Sequence, residues 1–274
     1  MSSPKNAAVR GDTRPLSGKT ALVTGSSSGI GRAMAVALAT AGADVHLHTR
    51  SNTRGLEEVR NELVAIGAGG VDFQFDLAEA AIDEKFVNAA WDAGPVDIWI
   101  NNAGVDVLTG EVAQWSFDEK LAALWAVDVR ATMSLSRLVG EKMQERGAGT
   151  IINIGWDQAE VGMEGDSGQM FAAVKAAVIA FTRSLARTLA PTVRVNCIAP
   201  GWIRTKWSGQ ASDYWDRRAR AEALLDRWGT PEDVAAAAVF LASPAASFIT
   251  AHVLPVNGGF AGTYQGPRDG TDEV

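Results

Sequence analysis

The chain has 274 residues with 25 basic and 32 acidic side chains, a net charge of −7, and no basic stripe, which argues against nucleic acid as a partner. Hydrophobic residues make up 47% and charged residues 21%, ordinary values for a water-soluble globular protein large enough for one sizeable α/β domain. A single cysteine, Cys197 in "VRVNCIAPG", excludes a disulfide framework and a thiolate metal site; it reads as a small core residue, and no metal is expected. The opening stretch "MSSPKNAAVRGDTRPLSGK" has no apolar core of signal-peptide length and no run approaches membrane-spanning length, so the expected location is the cytoplasm, away from membranes.

In chain order, residues 1–16 are polar and read as a flexible tail. The first β-rich run, "ALVTG" (21–25), passes through "TGSSSGIGR" (24–32) into a helical pattern. The runs "VHLHT" (45–49), "VDFQFDL" (71–77) and "VDIWINNAG" (96–104) follow, each separated from the next by helix-like sequence. "SFDE" (116–119) is a capping box, Ser116 as cap and Glu119 at the third helical position, opening a long helix. After "TIINIG" (150–155), "DSGQ" (166–169) can cap the helix that carries Phe171 and Lys175. "VRVNCIAPG" (193–201) precedes "TPED" (230–233), with a Thr cap, Pro at the first helical position and Asp233 at the third. The last run is "HVLPVNGG" (252–259), and 264–274 reads as a second flexible tail. Several runs are apolar almost throughout, as strands buried on both faces of a parallel sheet must be. The expectation is one Rossmann-type doubly wound α/β domain over 17–263, with about seven parallel strands and helices on both faces.

Glycines at 25, 29 and 31, with Ser27, Ser28 and Ile30 between them, let the chain turn tightly at the start of a helix. There a pyrophosphate can approach backbone N–H groups. About 20 residues on, at the end of the second strand, such folds read the adenosine ribose. An acidic residue there would repel a 2′-phosphate; this chain has Thr49, Arg50 and Ser51 instead, a cation with hydroxyl neighbours. That choice predicts NADP(H) as the cofactor.

Taken together, "TGSSSGIG" (24–31), "DL" (76–77), "NNAG" (101–104), Lys175, "RVNCIAPGWIRT" (194–205) and "VNGG" (256–259) resemble the short-chain dehydrogenase/reductase family over about residues 17–260. The resemblance implies that Asp76 and Leu77 sit by the adenine and that Asn102, Ala103 and Gly104 line the nucleotide. It implies that Lys175 holds the nicotinamide ribose, while Pro200, Gly201, Ile203 and Thr205 frame the nicotinamide end. It also implies a homodimer or homotetramer through two long helices, about 116–145 and 167–189.

The family mechanism uses a Tyr as proton donor, a Lys that lowers its pKa, a Ser on the substrate oxygen and an Asn in the water relay. Here only Lys175 matches. Phe171 stands at the Tyr position of "FAAVK", Trp156 follows "INIG" where the Ser is expected, and Asp128 in "AVDVRA" takes the place of the Asn. The chain is therefore read as an atypical member. A phenyl ring has no exchangeable proton, and general acid catalysis contributes about 10²–10⁴-fold. No Tyr precedes residue 214, so a slipped alignment does not supply one.

Candidates for a replacement acid lie in "WDQAEVGMEGDSGQ" (156–169), which holds Asp157, Glu160, Glu164 and Asp166, with Ser167 one turn before Phe171. Asp157 leads by adjacency to Trp156, and Asp128 follows from its place in the relay. Tyr214, in the segment 211–220 that the family uses as a lid, is the nearest remaining phenol. Trp156, Phe171 and Trp202, with Trp207 a further candidate, suggest a pocket for a small apolar or aromatic molecule, or for a cation held by π faces with carboxylates nearby. The leading expectation is an NADP(H)-dependent oxidoreductase with a non-standard proton relay, acting on a carbonyl, imine or activated alkene. The alternatives are a non-redox lyase, isomerase or cyclase on the same scaffold, or a non-catalytic NADP(H)-binding protein.

Overall fold

Seven short runs of aliphatic and β-branched residues pair into one sheet in the computed structural model, which describes residues 13–205, 212–264 and 266. The strands are β1 (Thr20–Val23), β2 (Asp44–Thr49), β3 (Asp72–Gln74), β4 (Ile98–Asn101), β5 (Gly149–Ile154), β6 (Val193–Pro200) and β7 (Val253–Val256). All pairings are parallel, in the order β3-β2-β1-β4-β5-β6-β7. The order turns back between β1 and β4, which in an open α/β sheet leaves a crevice beyond the strand C-termini. Register is set by side-chain parity: Val23 aligns with both Leu47 and Ile100, and Ile100 with Ile152.

Alternate residues of the central strands β1, β4, β5 and β6 feed two separate cores. Val23, Ile100, Ile152 and Ile198 pack with α1 (Gly29–Thr40), α2 (Thr53–Ala65) and α8 (Pro231–Ala242). Leu22, Trp99, Ile151 and Val195 pack on the opposite face with α3 (Asp83–Asp92), α5 (Thr132–Arg146) and α6 (Gly165–Leu189). Cys197 is fully buried, and burial pushes its thiol up to about 12, consistent with a core residue. A buried polar chain fastens the ends of β4 and β5 to the helices below. The Trp99 indole donates to Asn101 Oδ1 (2.8 Å), Asn101 Nδ2 to Asn153 Oδ1 (2.9 Å), and Asn153 Nδ2 to Thr182 Oγ1 (2.9 Å).

The capping boxes at Ser116–Glu119 and Thr230–Asp233 form as the sequence predicts, opening α4 (Phe117–Leu124) and α8. Three expectations need correction. The helix with Lys175 starts at Gly165, before the expected Asp166 cap; its N-cap Glu164 caps nothing, because its carboxylate is drawn to Arg218 on α7 (Asp213–Ala221). That same helix has 25 residues and reaches membrane-spanning length and apolarity, contrary to the sequence reading. Its apolar side, with Val174, Val178, Ile179 and Leu185, is consumed by the fold. Finally, Leu16, assigned to the N-terminal tail, is 1% exposed and donates its N–H to the Ala41 carbonyl.

Phe86 is fully buried among Phe73, Phe75, His48 and Trp99. Phe86→Ala is expected to destabilise the fold by about 3–5 kcal/mol through lost contacts and a cavity, read as a fall in urea midpoint; a loss below about 1 kcal/mol would mean the site collapses around the gap.

Candidate active site

A cleft of about 770 Å³ opens at the C-terminal ends of β1, β4, β5 and β6. At one end lies the glycine turn. Gly25 has φ +65° and a Cβ there would fall 2.9 Å from the Ala103 backbone, while a Cβ on Gly31 would fall 2.2 Å from the Gly25 carbonyl. The chain can turn this sharply only without side chains. At Gly29, by contrast, the space is open, and Ser28 caps α1 without any side-chain bond. The first N–H groups of α1 are thus left for a ligand, the arrangement that binds phosphate. Ser28, Gly29 and Ile30 line the cleft.

The turn is braced from behind. Thr24 Oγ1 accepts from the N–H groups of Asn102 and Ala103 (2.9 Å each), and Asn102 Nδ2 donates to the Thr24 and Gly25 carbonyls. The Gly25 N–H donates to His48 Nδ1 (3.1 Å), which places the His48 proton on Nε2, 3.1 Å from the Phe75 carbonyl. Burial pushes His48 down to about 4, so the ring is neutral at pH 7 and can accept that bond. Sequence reading missed this histidine, although two histidines alternating with apolar residues in "VHLHT" are an unusual strand composition.

Thr49 Oγ1 donates to Ser27 Oγ (3.2 Å), so strand two is tied to the glycine turn beside Arg50. Arg50 and Ser51 are exposed, and the Arg50 guanidinium makes no ion pair among the described residues. Asp76 folds back onto the Ala78 N–H (2.9 Å); Leu77 is buried and its carbonyl accepts from Arg130. None of Gly25, Ser27, Thr49, Arg50, Asp76 and Leu77 lines the cleft itself, nor do Ser51 and Ala103.

At the other end, a π-helical stretch, Trp125–Ala131, widens the join between α4 and α5 and carries Asp128. Asp128 is 2% exposed; its Oδ1 lies 2.8 Å from Lys175 Nζ and its Oδ2 accepts from the Val105 N–H (3.0 Å). Lys175 also donates to the Ile154 carbonyl (3.3 Å), so one of its three N–H groups is left for another acceptor. Phe171, one turn before Lys175, meets Trp156 edge to face at 6.4 Å, and both line the cleft. So do Asn102, Gly104, Asp128 and Lys175, and on the β6 side Pro200, Gly201, Trp202, Ile203 and Thr205. Trp215, Trp228, Met163 and Lys120 join them without having been singled out in the sequence. Only three-dimensional packing brings these four to one cleft.

Two sequence candidates stand elsewhere. Asp157 does not line the cleft: its Oδ2 accepts from Asn257 Nδ2 (3.0 Å) and lies behind Gly201, and its Oδ1 is buried without a hydrogen-bond partner. Burial pushes its carboxyl up to about 6. Tyr214 is 2% exposed, packed against Trp215 and Tyr264, with its hydroxyl accepting from Arg218 (3.2 Å); it points into the protein and not into the cleft. Glu160 pairs with Arg183 and Glu164 with Arg218, while Ser167 does reach the cleft wall. Trp207 lies outside the described residues.

A family model described as enoyl-(acyl carrier protein) reductase matches residues 25–261. Among curated proteins, 3-oxoacyl-(acyl-carrier-protein) reductase of Aquifex aeolicus is 37% identical over 251 residues, covering 89% of this chain and 98% of that protein. Cyclohexanol dehydrogenase of Rhodococcus sp. is 36% identical, covering 90% and 98%. Among solved structures, a 3-oxoacyl (acyl-carrier-protein) reductase from Agrobacterium tumefaciens with NADP bound superposes with a TM-score of 0.81 at 32% identity, covering 94% of this chain and all of that one. A putative NAD(P) dependent gluconate 5-dehydrogenase from Beutenbergia cavernae, also with NADP, gives 0.80 at 35%, covering 89% and 96%. With the glycine turn, the Asn102 brace and Lys175 in one cleft, these matches identify the chain as a member of the short-chain dehydrogenase/reductase family of NAD(P)-dependent oxidoreductases.

Proposed function

We propose that this enzyme is NADP(H)-dependent and reduces a small apolar or aromatic carbonyl, imine or activated alkene without a phenolic acid of its own. The observation that carries the reading is the contrast within one cleft. The glycine-turn end offers open helix N–H groups, whereas at the other end Phe171 and Trp156 present ring carbon beside the Lys175 ammonium. In this reading Phe171, Trp156 and Asp128 replace the Tyr, Ser and Asn of the family mechanism.

The cofactor supplies a hydride when bound. The first N–H groups of α1 would hold its pyrophosphate, Lys175 its nicotinamide ribose, and Arg50 with Thr49 and Ser51 a 2′-phosphate. Asp128 holds the Lys175 ammonium in place and neutralises it, so the pair serves to bind and orient. Phe171 donates no proton and the Trp156 indole offers only a weakly acidic N–H, so the proton comes from water at the cleft mouth. This favours acceptors whose reduction does not wait on proton transfer: an iminium carbon, or an alkene conjugated to an activating group. Asp157, although its pKa is that of a general acid, is given a structural role because Gly201 stands between it and the cleft. Association as a homodimer or homotetramer through α4, α5 and α6 belongs to the same reading; Trp115 and Trp125, on that side, are 44% and 51% exposed.

Loss of a charge-assisted bond at the 2′-phosphate is worth about 1.5–3 kcal/mol. Arg50→Ala is therefore expected to weaken NADPH binding about 10–100-fold and NADH binding less than about threefold, read by fluorescence titration; equal losses would defeat the NADP(H) assignment. Phe171→Tyr restores a phenol one turn from Lys175, and an increase in ketone reduction approaching 10²-fold is expected, on the order of general acid catalysis. No gain in steady-state kcat/KM across aromatic ketones would show that Trp156 and Asp128 have remade the pocket around a different step.

The fold raises the Asp157 pKa from 3.8 to about 6, so it favours the protonated form. Its stabilising contribution is complete below about pH 4 and is lost as pH rises through about 6, where the buried group must ionise. Asp157→Asn stays neutral throughout. Its melting temperature should exceed that of the wild type at about pH 7.5, with the difference shrinking toward pH 4; a constant difference across that range would contradict the assignment.

A further inference from the structure

Behind the tryptophan side of the cleft, Glu222 follows the last turn of α7 and is 1% exposed. Its Oε2 accepts from the Trp202 indole N–H (2.7 Å) and from Gln158 Nε2 (3.0 Å). Its Oε1 accepts from Arg218 Nε (2.9 Å) and from the Tyr264 backbone N–H (3.0 Å). The four donors come from four separate stretches: the turn after β5, the loop after β6, helix α7 and the segment after β7. Arg218, itself 0% exposed, is gripped at the other end of its fork by Glu164 (2.7 and 3.1 Å). Its guanidinium lies 5.7 Å from the Trp202 ring centre and 5.4 Å from that of Trp215. Trp202 in turn sits 5.5 Å from Trp215 and 6.0 Å from Trp228, centre to centre, and all three rings line the cleft.

We propose that Glu222 is a positioning residue, which through the Trp202 indole and the Arg218 guanidinium holds the three-tryptophan wall in one arrangement and so sets the cleft's preference for flat aromatic ligands over flexible ones. A buried carboxylate fits four converging donors because each of its oxygens accepts and neither donates. An amide at the same place must turn an NH₂ toward two of the donors, leaving them without a partner in a buried site. A wall fixed in advance stacks against a planar ligand without first being ordered, and a planar ligand has few rotors to freeze. A loosened wall forfeits that advantage, while a flexible ligand, which adapts to either wall, is little affected. This inference rests on the cleft being the acceptor site.

The test uses full-length protein loaded with NADP⁺ and two ketone probes, methyl naphthyl ketone and methyl heptyl ketone, titrated by calorimetry. Solvent exchange of the Trp202 indole N–H, assigned by its disappearance in Trp202→Phe, is followed by NMR. Glu222→Gln is expected to weaken the naphthyl ketone about tenfold, the equivalent of one lost charge-assisted bond, and the heptyl ketone less than about threefold. NADP⁺ affinity should hold, and the Trp202 indole should exchange faster. Unchanged indole exchange, or equal loss for the two ketones, overturns the proposal. If Glu222→Gln does not fold, Trp202→Phe keeps an aromatic ring, though a smaller one, and Glu222, but removes the bond between them. It should show the same selective loss, and full retention of the preference for the flat ketone overturns the proposal. Where both variants fold, their effects should not add, since they break one link. Failure of both ketones to bind wild-type protein would instead fell the acceptor-site reading, and exchange at Trp202 would still decide whether Glu222 holds the wall.

Discussion

Everything in this molecule hangs on a parallel sheet that must be covered on both faces. Parallel strands need long crossovers, the crossovers are helices, and helices on both sides leave the central strands no polar face. β1, β4, β5 and β6 accordingly send alternate residues into two different cores. Because the strand order reverses between β1 and β4, the helices that follow these strands lie on opposite faces, and the chain cannot close the gap between them. The cleft is that gap. Its chemistry is decided by what stands at four strand ends, and the Trp99–Asn101–Asn153–Thr182 chain keeps two of those ends and helix α6 in fixed relation.

Within the cleft, two ion pairs do different jobs. Asp128 and Lys175 meet at the base of the reaction end, both largely out of water. Removing either would leave a buried charge unpaired, a more severe loss than the pair's net contribution to stability. The pair therefore constrains Lys175 to one place, and the π-helical stretch carrying Asp128 spends regular helix geometry to put the carboxylate there. Arg218 and Glu222 lie behind the opposite wall, touch no open part of the cleft through their own charges, and act through tryptophan rings. One side of the cleft thus has an ion pair in its lining, the other an ion pair behind it.

His48 shows the same economy on the nucleotide side. A buried imidazole pushed down to about 4 is neutral at physiological pH, and only the neutral ring can accept the Gly25 N–H while donating toward Phe75. The Gly25 N–H takes that acceptor, while Asn102 on its other side contributes donors to the turn's carbonyls. A histidine in a strand is here part of the support of the glycine turn without lining the cleft.

By itself the sequence determined the alternation of strands and helices, the capping boxes at Ser116 and Thr230, the glycine turn and the family. These are written in local spacing, apolar runs and short motifs whose physics acts within a few residues. It also singled out Phe171, Trp156 and Asp128, the residues on which the proposed function rests. What only the tertiary structure decided is which side chains share a space. Asp157 follows Trp156 directly, yet Trp156 is extended while Asp157 opens a short 3₁₀ turn, and its carboxyl ends behind Gly201. Tyr214 and Trp215 are neighbours on α7, about 100° apart around the helix axis, so one ring is buried and the other lines the cleft. Glu222 draws its four donors from residues 158 to 264: Arg218 is its i,i+4 neighbour on the helix, but Gln158, Trp202 and Tyr264 are far off along the chain and reach it only once the sheet has formed.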